Sequence, residues 1–151
     1  MKNTILIEIP MCLLIILFLY TGVNKIIDHE QFQSTLANSP LLENSFLIMS
    51  YFVPIVEILL TFGLLVSLIQ ERPILRKWSL FVSTLLMAAF TIYVGYMLKF
   101  SPKLPCSCGG IIQKMSWRQH LYFNILFTLM AATSLYLNQK KYQLKTAPAN
   151  I

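Results

Sequence analysis

The chain has 151 residues, of which 56% are hydrophobic and only 12% are charged. Because soluble domains carry roughly 25% charged residues, this composition excludes an ordinary water-soluble globule and indicates one membrane domain. The formal net charge is +6, but the basic residues lie between apolar runs without a stacking aromatic pattern, so we interpret them as membrane anchors and exclude nucleic-acid binding.

Four apolar runs are long enough to cross the hydrocarbon core of a bilayer, which needs about 20 residues. They cover residues 9–27, 46–69, 78–98 and 117–137. Since backbone polar groups in lipid must be satisfied within each segment, we expect four helices. The sequence therefore predicts an all-α integral membrane four-helix bundle over residues 1–138, followed by a flexible cytoplasmic tail over residues 139–151.

The first run shares the basic start and the apolar stretch of a signal peptide. No small-residue cleavage site follows it, and the run continues into Asn24, Lys25 and Asp28. We therefore predict that this segment is retained as the first membrane helix.

The distribution of lysine and arginine predicts the orientation of the bundle. The N-terminus, the second loop and the tail hold seven of these residues, namely Lys2, Arg72, Arg76, Lys77, Lys140, Lys141 and Lys145. The first and third loops with their flanks hold five, namely Lys25, Lys99, Lys103, Lys114 and Arg118. Because cytoplasmic loops carry the excess of basic residues, we predict that both termini lie in the cytoplasm.

The third loop contains two cysteines separated by one residue, within the segment Pro105-Cys-Ser-Cys-Gly-Gly110. A disulfide between Cys106 and Cys108 needs a tight bend, which the small Ser107 and the glycines permit. Ring strain makes such a bond easier to reduce, and nearby basic residues favour the thiolate that attacks in exchange. We therefore predict thiol/disulfide exchange at this pair.

The cysteines also have less reactive interpretations. A static disulfide would only fix the loop, since paired cysteines outside the cytoplasm are more often structural than catalytic. Metal binding by Cys106, Cys108 and His120 is a second alternative, but three ligands at this spacing fall short of a zinc signature, and we assign no metal site. Cys12 lies inside the first apolar run, and we interpret it as a buried small hydrophobe.

His120 and Asn124 lie four residues apart at the start of the fourth run, and therefore on one face of the predicted helix. We predict that His120 acts with the cysteines, as a base or by stabilising a thiolate. Asn124 is a candidate to orient His120 or to hold a bound head group. Interhelical hydrogen bonding, worth about 0.6 kcal/mol on average in membranes, is the alternative role for both, and for Asn124 it is the one that we favour.

Glu57 lies near the middle of the second run, where an ionised group costs about 2.5 to 3.5 kcal/mol. We expect it to be protonated or paired inside the bundle, with Asn24 and Lys25 as candidate partners, unless Lys25 snorkels to the interface. Pro54, one turn earlier, frees a backbone carbonyl and bends the helix. A proton or quinone site is the default hypothesis for such a residue, and a structural hydrogen bond is the alternative.

Several short motifs follow one another along the chain. They are Gly22-Val-Asn-Lys25 with Asp28 and Phe32, Pro54-x-x-Glu57, Cys106-x-Cys108-Gly-Gly, and Trp117-x-x-His120-x-x-x-Asn124. In this order they resemble the MauE branch of the DoxX-like membrane proteins, over roughly residues 5–138. Family members are four-helix membrane proteins, and MauE is associated with maturation of methylamine dehydrogenase, whose small subunit needs many disulfides.

The resemblance implies a role in periplasmic thiol oxidation or protein maturation, with Cys106 and Cys108 as the exchanging pair. It implies an extracytoplasmic thiol protein, for example a thioredoxin-like one, as the partner. DoxX relatives are also linked to quinone-dependent oxidation, so the resemblance makes a quinone the candidate cofactor.

Two other classes of function stay open. In the first, the protein is a non-enzymatic membrane assembly factor or subunit, and the cysteines fix a docking surface. In the second, it is a small transporter with Glu57 as its proton site.

Overall fold

The computed structural model describes residues 2–42, 44–100 and 116–146. Within these ranges the chain is helical, with no strand, so the all-α prediction is confirmed. The helices are α1 (Lys2–Ile27), α2 (His29–Ala37), α3 (Phe46–Ile69), α4 (Pro73–Phe100) and α5 (Trp117–Thr146). The predicted cysteine motif, Cys106 and Cys108, lies outside the described residues.

Four of these helices, α1, α3, α4 and α5, are long and apolar enough to cross a membrane. The membrane four-helix bundle predicted from the sequence is therefore confirmed. The predicted segment 46–69 coincides with α3, whereas α4 begins earlier than predicted, at Pro73, because proline suits the first position of a helix. Helix α5 continues to Thr146 and includes the first part of the predicted 139–151 tail, whose glutamine and lysine residues are good helix formers.

The long helices pack as a ring in which α1 and α4 are diagonal to each other. Helix α1 packs against α3 and α5, and α4 packs against the same two helices. The short α2 lies against α3 and α1. The hydrophobic core on the bundle axis consists of Ile7, Met11, Leu14, Phe18, Leu60, Leu64, Leu80, Met87 and Ala131. Large apolar side chains also cover the outer faces, as expected where the surroundings are lipid.

Polar contacts join α4 to both of its neighbours in the bundle, α5 and α3. The hydroxyl oxygens of Thr91 on α4 and Thr128 on α5 lie 2.9 Å apart, within hydrogen-bond distance. At the end of α3, the Arg76 guanidinium donates from Nη2 to the carbonyl oxygen of Ser67 at 3.1 Å. Because the last carbonyls of a helix have no partner within it, this bond satisfies one that would otherwise be unpaired. Both contacts help to fix the positions of α3, α4 and α5.

The interpretation of Cys12 as a buried residue is wrong, because its side chain is exposed and free. Met11 and Leu14 on the same helix are fully buried and face the bundle axis. Each residue turns an α-helix by about 100°, so Cys12 lies on the outer, lipid-facing side of α1. A small apolar thiol is compatible with lipid surroundings.

Candidate functional site

A cavity of about 340 Å³ lies at one end of the bundle and is lined by residues of all five helices. It is the end at which α1 approaches its last turn, α4 ends at Phe100 and α5 begins at Trp117. The wall is mainly apolar, and its polar side chains are Thr21, Lys25, Glu57, Tyr93, His120 and Asn124. A volume of this size and a few polar groups on an apolar wall are typical of small-molecule sites.

Lys25 and Glu57 form an ion pair in the wall of this cavity. Lys25 Nζ lies 2.5 Å from Glu57 Oε1, and the side chains are 11% and 1% exposed. The expectation that Glu57 is paired inside the bundle is thus confirmed, and Lys25 does not snorkel to the interface. The ammonium also lies 5.6 Å from the centre of the Phe32 ring and 5.1 Å from that of Phe90. The carboxylate and two aromatic rings therefore surround the charge of Lys25.

Gly22 explains why α1 comes close enough to α3 for this pair to form. A Cβ atom at Gly22 would lie 3.1 Å from Ile58 Cδ1 and 3.3 Å from Glu57 Cβ, tighter than ordinary contact. Lys25 follows three residues later and lies on the same face of α1. At this contact between α1 and α3, Gly22 thus allows the two backbones to come close, and Lys25 provides the positive charge.

We expect a larger side chain at Gly22 to destabilise the bundle, and we expect the effect to be specific to this position. Gly22→Leu forces α1 away from Ile58 and Glu57, and overpacking of this kind costs about 1–3 kcal/mol. Unfolding in mixed micelles with increasing denaturing detergent measures the loss.

The matched control is a pair of alanine substitutions. Within the part of the chain that the structure describes, an added Cβ at Gly95 meets only Leu121 Cδ1, at an ordinary 3.9 Å. We therefore expect Gly95→Ala to be tolerated and Gly22→Ala to be the less stable of the two. Wild-type stability of Gly22→Leu would contradict the role given to the α1–α3 contact.

The two predicted residues of α5 line the same cavity. His120 is half-buried, and its ring stacks on Trp117 with the ring centres 6.5 Å apart. Asn124 is buried, one turn further along α5. The structure therefore brings Glu57, His120 and Asn124 around one cavity together with Lys25.

The cavity wall reaches the outer surface between α3 and α4. Phe52 on α3 lines the cavity and is 53% exposed, and Ala89 on α4 lines it and is exposed. Helix α3 packs less extensively against α4 than against α1. Since we expect the outer faces of these helices to contact lipid, we expect this side to give the cavity a lateral approach from the membrane.

Comparison with known families identifies the class of membrane protein. A family model described as "Methylamine utilisation protein MauE" matches residues 3–137. The chain belongs to the MauE family. No curated protein and no solved structure matches it. The resemblance to MauE inferred from the sequence is confirmed, and the matched range includes every residue named above as lining the cavity.

In this MauE-family chain, part of the cavity was not predicted from the sequence. Phe90 and Tyr93 of α4 contribute to the wall, and Phe32 contributes from α2. The spacing of three residues between Phe90 and Tyr93 indicates a shared helix face. On a helix that is apolar all round, however, such a pair cannot be told from ordinary lipid-facing or core residues.

Proposed function

We propose that this MauE-family protein supports thiol/disulfide exchange and maturation of an extracytoplasmic protein. Cys106 and Cys108 are the exchanging pair, and both termini lie in the cytoplasm of a bacterial inner membrane. The partner is an extracytoplasmic thiol protein, for example a thioredoxin-like one. Family membership fits a membrane protein related to methylamine utilisation, so a disulfide-rich protein of that process is the first client to test.

The cavity is the observation that carries this proposal. It lies at the end of the bundle where the chain leaves α4 and enters α5, and the cysteine motif belongs to that connection. Its apolar wall, its polar groups and its lateral approach from lipid suit a membrane-soluble electron acceptor, for which a quinone is the candidate. Glu57 and Asn124 are proposed to hold the acceptor.

The proposed exchange balances in two stages. A client thiolate attacks the Cys106–Cys108 disulfide and forms a mixed disulfide, and the second client thiol then displaces the cysteine to give an oxidised client and two reduced cysteines. A bound quinone would take two electrons and two protons from these thiols, so that the Cys106–Cys108 disulfide forms again and the hydroquinone leaves. His120, at the start of α5, is proposed to accept a cysteine proton or to stabilise the thiolate.

Trapping of the mixed disulfide tests the proposal. Disulfide exchange is reversible, so in Cys106→Ser or Cys108→Ser the remaining thiolate can attack the disulfide of an oxidised client, release one client thiol and form the mixed disulfide. No second cysteine of the motif resolves this bond, so we expect one of these variants to retain a client that non-reducing electrophoresis and mass spectrometry identify. The double Cys106→Ser/Cys108→Ser variant still contains Cys12 and is the control that should capture none. A client pull-down that is independent of both cysteines, with no trapped adduct, would instead support the assembly-factor alternative.

A further inference from the structure

One oxygen of the Glu57 carboxylate is buried without a hydrogen-bond partner. Lys25 donates to Oε1, whereas Oε2 has no hydrogen-bond partner among the residues described by the structure. The Thr21 hydroxyl lies close to this carboxylate, but it donates to the carbonyl oxygen of Leu17 at 2.9 Å. An acceptor left unsatisfied away from water is unfavourable, and more so when the group is charged. Because Glu57 also lines the cavity, a ligand with a hydrogen-bond donor can satisfy this oxygen.

The surroundings of Glu57 indicate which chemical class of ligand the cavity binds. The lateral approach beside Phe52 and Ala89 favours a molecule that is dissolved in the lipid. The aromatic rings of Phe90 and Phe123 in the wall suit a flat ring. An aromatic ring that carries a hydroxyl meets all three requirements: it is flat, it dissolves in lipid and it has a hydrogen-bond donor.

Building on the proposed function, we propose that the cavity selects the reduced, hydroquinone form of its acceptor. A ring hydroxyl of the hydroquinone donates to Glu57 Oε2. The quinone offers only carbonyl oxygens, which accept hydrogen bonds and leave Oε2 unsatisfied. Lys25 holds the other carboxylate oxygen and so keeps Glu57 as an acceptor at this position.

Selection of the reduced form assists the proposed electron transfer. If the hydroquinone binds tenfold more tightly than the quinone, the potential of the bound two-electron couple rises by about 30 mV. A higher potential draws electrons from the cysteine thiols to the acceptor. The Lys25–Glu57 pair thus biases the direction of the exchange.

Binding of matched probes to the purified protein in lipid nanodiscs tests this inference. The probes are a decyl-substituted hydroquinone, its quinone, and its dimethyl ether, which has the same ring and no hydroxyl. Under anaerobic conditions we expect the hydroquinone to bind at least about tenfold more tightly than the other two, as an additional satisfied hydrogen bond to a charged group implies. Equal affinities for all three, or no binding of any, would overturn the inference.

Two variants locate the preference at Glu57. Glu57→Gln places an amide N–H donor beside the bound ring, so we expect the preference for hydroquinone to fall or to reverse in favour of the quinone. Ser83→Ala is the control, because Ser83 is fully buried, its hydroxyl has no hydrogen-bond partner within residues 2–42, 44–100 and 116–146, and it does not line the cavity. If Glu57→Gln does not fold, the comparison of the three probes on the native protein still decides.

The same assay separates this inference from the proposed function. The Cys106→Ser/Cys108→Ser protein should keep the hydroquinone preference, since neither cysteine takes part in the contact with Glu57. If the cysteines trap a client but the three probes bind equally well, only the selection of hydroquinone is overturned. If the hydroquinone binds more tightly than the quinone but no client is trapped, only the exchange proposal is overturned.

Discussion

Replacing both Cys106 and Cys108 by serine is expected to abolish oxidation of the client while leaving the protein in the membrane at normal levels. The thiolate is the species that attacks and leaves in disulfide exchange, and a serine hydroxyl cannot replace it at neutral pH. The core that the structure describes consists of side chains from the helices α1, α3, α4 and α5, so the bundle is expected to persist. Complementation of a strain that lacks the gene, with the client's disulfides followed by alkylation shift, measures the effect.

Cys12→Ser is the matched control for this experiment. Cys12 is exposed on the outer face of α1, and it is not among the residues that line the cavity. We therefore expect full complementation from Cys12→Ser. Full activity of the Cys106→Ser/Cys108→Ser variant would exclude exchange at this motif and leave the assembly factor and the transporter as the remaining classes.

The sequence predicted the membrane helices because each crossing must satisfy its own backbone within a long apolar segment. The run 46–69 shows this most clearly, since Pro73 and the polar residues before it interrupt the apolar pattern soon after α3 ends. The short α2, with the sequence His-Glu-Gln-Phe-Gln-Ser-Thr-Leu-Ala, was not predicted. It has too few residues to cross a bilayer, and only Phe32, Thr35 and Leu36 are buried.

Glu57, His120 and Asn124 were predictable because polar groups inside an apolar run are costly and therefore conspicuous. That the three side chains line one cavity was not predictable, because this arrangement depends on how α1, α3 and α5 pack. The close approach at Gly22 is part of that packing, and a single glycine in an apolar run does not reveal it. The wall from α4 was missed because an aromatic residue on an apolar helix gives no contrast with its neighbours. The wall from α2 was missed because the helix itself, with its short polar sequence, was not predicted.

Removing Lys25 is expected to be the most destabilising single substitution in the bundle. Lys25→Met keeps the length of the side chain but leaves the carboxylate of Glu57 buried without its counter-charge, and breaking a buried ion pair in this way costs about 3–5 kcal/mol. Unfolding in mixed micelles at constant pH measures the loss. The double variant Lys25→Met/Glu57→Gln should recover most of it, since no uncompensated charge remains in the interior.

Lys99→Met distinguishes loss of the ion pair from loss of a positive charge beside an aromatic ring. Lys99 Nζ lies 5.4 Å from the centre of the Phe100 ring, comparable to the distances between Lys25 and its two rings, but Lys99 is exposed at the end of α4. An exposed cation–π contact contributes about 0.5–1 kcal/mol, so Lys99→Met should cost much less than Lys25→Met. Equal losses in the two variants would mean that the carboxylate of Glu57 contributes little, and that the aromatic rings alone hold Lys25 in the cavity wall.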